Sequence, residues 1–178
     1  GLVKQGSGSF TLSGDNTYSG STRVAAGTLA LPGTLASSAI QVDAGTLALQ
    51  AAERLANSAT LSVASGAQTT LAGDETVATL TLGGTLGGSG TLHAASTTLD
   101  GGTAHANLGA GTLTSTGASQ INGTTGASTV AVQSGSLGLG GAGLLAAGSA
   151  VTVASGATLT TAGDNTVATL TLAGTLAG

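Results

Sequence analysis

Short runs in which every second residue is leucine or valine recur along the chain. In Gly27-Thr28-Leu29-Ala30-Leu31 and Thr79-Leu80-Thr81-Leu82 the leucines fall on one face and Thr or Ala on the other. That is the period-two pattern of a strand with one buried face. Glycines and the related segments at Asp15, Asp74 and Asp164 lie between the runs. Glycine there supplies positive φ, and an Asx side chain bonds the backbone two residues on, so these segments predict turns. Strands therefore alternate with turns and not with helices. Two stretches break the pattern, Ala51–Asn57 and Gly141–Ala147. They predict short loops or single helical turns projecting from the rod, read as plain corners in preference to partner-binding loops.

The runs repeat at two periods. The segment beginning at Val24 aligns with the one beginning at Val42, an offset of 18. The same phase gives apolar markers at Val24, Val42, Leu61, Leu80, Leu99, Leu113, Val130, Val151 and Leu170, mostly 18 or 19 residues apart. A longer offset of 90 aligns Leu61–Ala67 with Val151–Ala157 and Gly73–Leu82 with Gly163–Leu172. This predicts an internal duplication, roughly residues 37–88 with 127–178, within one segment of a larger protein. Stacked coils place like residue over like at one-coil spacing, so the short period predicts an all-β solenoid of about nine coils of 18–20 residues. Tandem immunoglobulin-like domains are the competing fold for a 90-residue unit. Their larger buried residues and lack of an 18–19 period argue against them.

Composition narrows the chemistry. Gly contributes 32 of 178 residues, charged residues 6% and aromatics only Phe10 and Tyr18, so a core built on large aromatic side chains is excluded. With one Pro and a net charge of −4, the chain also lacks the charge and proline content of a disordered segment. Three basic residues, Lys4, Arg23 and Arg54, cannot neutralise a row of phosphates, which excludes nucleic acid as a partner. No apolar run is long enough to span a membrane in this segment. Zero Cys rules out disulfides and thiolate metal sites.

Candidate chemistry is sparse. Residues 138–143 match G-x-G-x-x-G, but no helix pattern follows and no acid occurs between Asp100 and Asp164, so a dinucleotide site is not expected. His93 and His105 stand apart from any G-x-S-x-G elbow. The acidic residues are scattered, and Asp15, Asp74 and Asp164 are expected to serve turns rather than a metal. The Thr79/Thr81 and Thr169/Thr171 pairs raise an ice-binding face, but along the sequence such pairs are intermittent. No catalytic, cofactor or metal residue is assigned, and the chain is not expected to be an enzyme.

The opening segment, Gly6 through Leu29, resembles the autotransporter-associated β-strand repeat, notably at Asn16, Tyr18, Gly20 and Gly27-Thr28-Leu29. Phe10 replaces the usual Leu. The later copies lose Tyr18, with Val77 and Val167 near its place. The resemblance implies a right-handed parallel β-helix in a passenger region exported through the outer membrane by a C-terminal barrel, hence secreted or at the cell surface. It implies a structural or adhesive scaffold, with surface proteins of a host, its matrix or sister cells as partners, and self-association. An enzyme-bearing passenger, protease or polysaccharide-degrading, is the alternative. A sugar-cleaving groove needs clustered carboxylates, which are missing from the sequence.

Overall fold

The computed structural model covers all 178 residues. The chain forms a parallel β-solenoid with no helix. One long sheet stacks Leu2–Lys4, Thr22–Val24, Ala39–Val42, Thr60–Val63, Glu75–Leu82, Thr91–Leu99, Thr112–Ser115, Thr129–Val132, Ala150–Val153 and Thr169–Leu172, with Asn107–Leu108 beside Thr91–Leu99. A second sheet runs from Ser9–Thr11 to Thr175–Ala177. A third face is held by the pair Asp15–Asn16 with Thr34–Leu35 and by single bridges at Leu35–Leu55, Leu108–Thr125 and Thr125–Leu145. Every strand pair is parallel and the first sheet runs unbroken across the 90-residue offset. The sandwich alternative is therefore not the fold.

Each coil turns its alternate residues inward, and stacking makes ladders of like side chains. Ile40, Leu61 and Leu80 stand in one inward ladder of the first sheet, and Val42, Val63, Leu82 and Leu99 in the next. In the second sheet Leu29 stacks on Leu47 and Leu31 on Leu49. These side chains are almost fully buried and belong to one continuous core. Burying each leucine contributes about 1.5–3 kcal/mol. The core is thin but unbroken from coil to coil.

The first sheet has ten coils, close to the expected count of about nine. The missed one is the first, because Lys4 occupies the ladder position that Val24 and Val42 fill above it. The apolar markers also mix two ladders. Val24, Val42 and Leu99 stand in one, whereas Leu61, Leu80, Leu113, Val130, Val151 and Leu170 stand two residues earlier along the strand. Coils of unequal length let a leucine from either ladder satisfy a period near 18. Of the two forms expected for 51–57 and 141–147, the structure has the short loop and not the helical turn. They are corners that tuck Leu55 and Leu145 into the core on the third face.

Turns between the two sheets need glycine. Gly45 has φ of +81°, and a Cβ there would strike the carbonyl oxygen of Gly27 on the coil below. Stacking turn on turn leaves no room for a side chain between them.

Candidate functional site

The most unusual polar group is Glu75, fully buried on the third face. Its carboxylate accepts the backbone N–H groups of Arg54 (2.8 Å) and Leu55 (2.9 Å) from the preceding coil. Burial pushes its carboxyl above the ordinary 4.5, and those two N–H groups pull the other way. Ninety residues on, Asn165 does the same work without charge. Its Oδ1 accepts from Leu144 (2.8 Å) and Leu145 (3.2 Å), while its Nδ2 donates to the carbonyls of Gly141 and Gly163. Asn16 fills the analogous place in the first coil, donating to Gly14 and Thr34 carbonyls. The residue after each turn aspartate thus stitches coil to coil.

The aspartates themselves do not make local turns. Asp15 accepts from the Thr34 hydroxyl and Asp74 from the Thr91 backbone N–H, each one coil away. Tyr18 packs against the core edge and its hydroxyl lies 3.3 Å from that of Thr22, which pairs at 2.6 Å with buried Ser37. Lys4 is buried as well, its ammonium donating to the carbonyls of Gln5, Gly6 and Ala26. Sequence reading missed Lys4, Glu75 and Asn165 as structural groups. The offset of 90 between Glu75 and Asn165 was the available signal for that pair.

The remaining candidates do not converge. His93 is exposed opposite Thr76 in the first sheet, whereas exposed His105 follows the Thr103–Ala104 strand of the second and meets only the Asn122 amide (3.2 Å). No three His, Asp or Glu side chains gather as metal ligands would. In residues 138–143 the glycines at 138 and 140 make space: a Cβ at either would meet the amide oxygen of Gln120 or Asn122 lying across it from the coil before. An apolar hollow of about 230 Å³ is the open interior of the last coils, lined by Leu139, Leu159, Leu170 and Leu176 among others.

The outer face of the first sheet is more regular than the sequence indicates. One outward column runs Thr60, Thr79, Ser96, Thr112, Thr129, Ala150, Thr169, and its neighbour runs Ser62, Thr81, Thr98, Thr114, Ala131, Thr152, Thr171. All but Ala131 and Ala150 bear a hydroxyl, all are at least partly exposed, and none is charged. Among these hydroxyls only Thr112 reaches a protein acceptor, the Ala95 carbonyl at 3.5 Å. The intermittency of Thr pairs along the chain disappears in space, because coils of different length bring them into register.

These features define a parallel β-solenoid whose coils are stitched one to the next. Residues 2–31, the first coil and the start of the second, match the family model of the passenger-associated-transport-repeat, in agreement with the resemblance at Asn16, Tyr18 and Gly27-Thr28-Leu29. No curated protein and no solved structure gives a significant match to the chain.

Proposed function

We propose that this chain is a display segment of a secreted, autotransporter-type surface protein, holding other regions away from the cell and adhering through its flanks to host, matrix or sister-cell surfaces. The observation that supports this is the passenger repeat at residues 2–31 joined in register to eight further coils. A coil that has emerged from the outer membrane can stack on its predecessor, so each step of export is coupled to burial of one more set of ladder residues. The 90-residue similarity is read as copying of a five-coil block, which lengthens such a rod without new design. The stitching residues Asn16, Glu75 and Asn165 serve that stacking, and the group as a whole fits a structural scaffold.

The test is to place the chain between a signal peptide and a C-terminal barrel translocator in a Gram-negative host. Protease added to intact cells should digest the chain, and cells displaying it should aggregate or adhere more than cells with the barrel alone. A chain retained inside the outer membrane would overturn the export reading. Display without any gain in adherence would overturn the adhesive part.

A further inference from the structure

We infer that the hydroxyl-bearing outer face of the first sheet is a binding surface for ice. The inference rests on the array itself and does not depend on how the chain reaches its location.

Two columns of outward side chains extend over seven successive coils, from Thr60/Ser62 to Thr169/Thr171, in unbroken parallel register. Parallel stacking fixes their spacing at ~4.8 Å between coils and ~6.6 Å between the columns. Hexagonal ice presents planes of oxygens at a repeat near the coil spacing, each oxygen able to donate and to accept. A hydroxyl matches that chemistry, whereas a charged side chain would hold its own hydration shell. None of the residues in the two columns is charged over the whole length of the array.

Rigidity distinguishes this face from an ordinary polar surface. Threonine is β-branched and restricted at χ1, so its methyl and hydroxyl are held in place before contact. Little side-chain entropy is then lost on binding. Apart from Thr112, the hydroxyls have no acceptor in the protein and remain free for an external lattice. The outward face of the second sheet makes the contrast. There Gln68, His105, Gln120, Asn122, Gly138 and Gly140 interrupt the threonines, and no two-column array forms.

The experiment measures ice recrystallisation and thermal hysteresis with the whole chain, compared with an inert globular protein at equal mass concentration. The expected result is several-fold smaller ice grains after annealing and a measurable hysteresis gap. Thr81→Lys with Thr114→Lys, in the middle of the array, should abolish both effects. Thr46→Lys with Thr85→Lys, on the outer face of the second sheet, should leave them intact. Thr152→Lys, nearer one end, provides a second array variant should the first pair disturb folding, which far-UV circular dichroism checks. Wild-type chain with no effect on ice, or equal loss in both sets of variants, overturns the inference. So does a concentration-dependent dimer abolished by the array variants, which would make the face a contact between two copies. Retention on a crystalline polysaccharide without any effect on ice would likewise overturn it.

Discussion

Replacing Glu75 by Ala removes the acceptor for two backbone N–H groups in the core, those of Arg54 and Leu55. Each buried donor left without a partner costs about 1–3 kcal/mol, so the corner should lose about 2–6 kcal/mol, less what is recovered by removing a buried charge. Glu75→Gln retains a carbonyl oxygen that can accept both N–H groups, as the single Oδ1 of Asn165 does, and its amide can donate as the Asn165 Nδ2 does. It should stay within ~1 kcal/mol of wild type near pH 4.5, where the loss of the charge matters least. The sign of the pH effect follows from the raised carboxyl of Glu75. The folded chain holds this proton more tightly than the unfolded chain, so the contribution is fully present below 4.5 and is lost as pH rises through the folded value. Wild type should therefore lose stability from pH 4.5 towards 7, and Glu75→Gln should flatten that slope and be the more stable protein at pH 7. Hydrogen exchange at the Arg54 and Leu55 amides is the suitable assay, because a repeat protein opens locally. A loss of ~2 kcal/mol in Glu75→Ala lowers their protection about 30-fold. Equal protection in Ala and Gln variants, or an unchanged pH slope in Glu75→Gln, would refute the reasoning.

Four further substitutions probe the stack. Thr69 points inward between Leu47 and Leu86, and its buried hydroxyl has no partner; Thr69→Val should raise the denaturation midpoint, with a gain of about 1–2 kcal/mol. Gly45→Ala drives a Cβ into the Gly27 carbonyl at positive φ, costing at least about 1–2 kcal/mol, whereas Gly138→Ala displaces only the mobile end of Gln120 and should fall within ~0.5 kcal/mol of wild type; thermal melts of the two variants side by side test the contrast. Glu53 is the one non-glycine residue at positive φ, and its counterpart 90 residues on is Gly143. Glu53→Gly should relieve ~1 kcal/mol of strain against loss of the Thr76 hydroxyl contact, giving a neutral to slightly more stable protein in the same melts.

Ladder order was legible where the chemistry is repetitive and illegible where a coil uses a different residue for the same job. Alternating Leu and Thr identified strands, and the 18-residue offset identified stacking, since only coils superimpose Leu29 on Leu47 and Gly27 on Gly45. The first coil escaped because its ladder residue, Lys4, is polar and survives burial only by donating to three carbonyls. The outer hydroxyl array escaped for a related reason. A linear reading compares positions at fixed spacing, but corners of unequal length shift Thr98 and Thr114 into line with Thr81. The scattered Asp and His residues sit on different coils, Asp15 and Asp74 each accepting from the coil that follows and His93 and His105 lying on separate sheets. Their cross-coil partners depend on pairing register and cannot be read from one turn.

Glu75 and Asn165 show how a solenoid tolerates such variation. Both sit at the same corner, five coils apart, and both receive two successive backbone N–H groups from the coil before. The requirement is an acceptor of suitable reach, because corners leave backbone donors that no strand satisfies. Charge is incidental to that requirement and brings a desolvation cost that Asn165 avoids. In a globular core, a change from amide to carboxylate would disturb neighbours on every side. Here a coil contacts only the coils before and after it, so the cost stays within one corner and the remaining ladders are unaffected. The same locality permits the two faces to diverge, one becoming an array of hydroxyls broken only at Ala131 and Ala150 and the other a mixture of amides and glycines, while the inward ladders of both sheets form one continuous core.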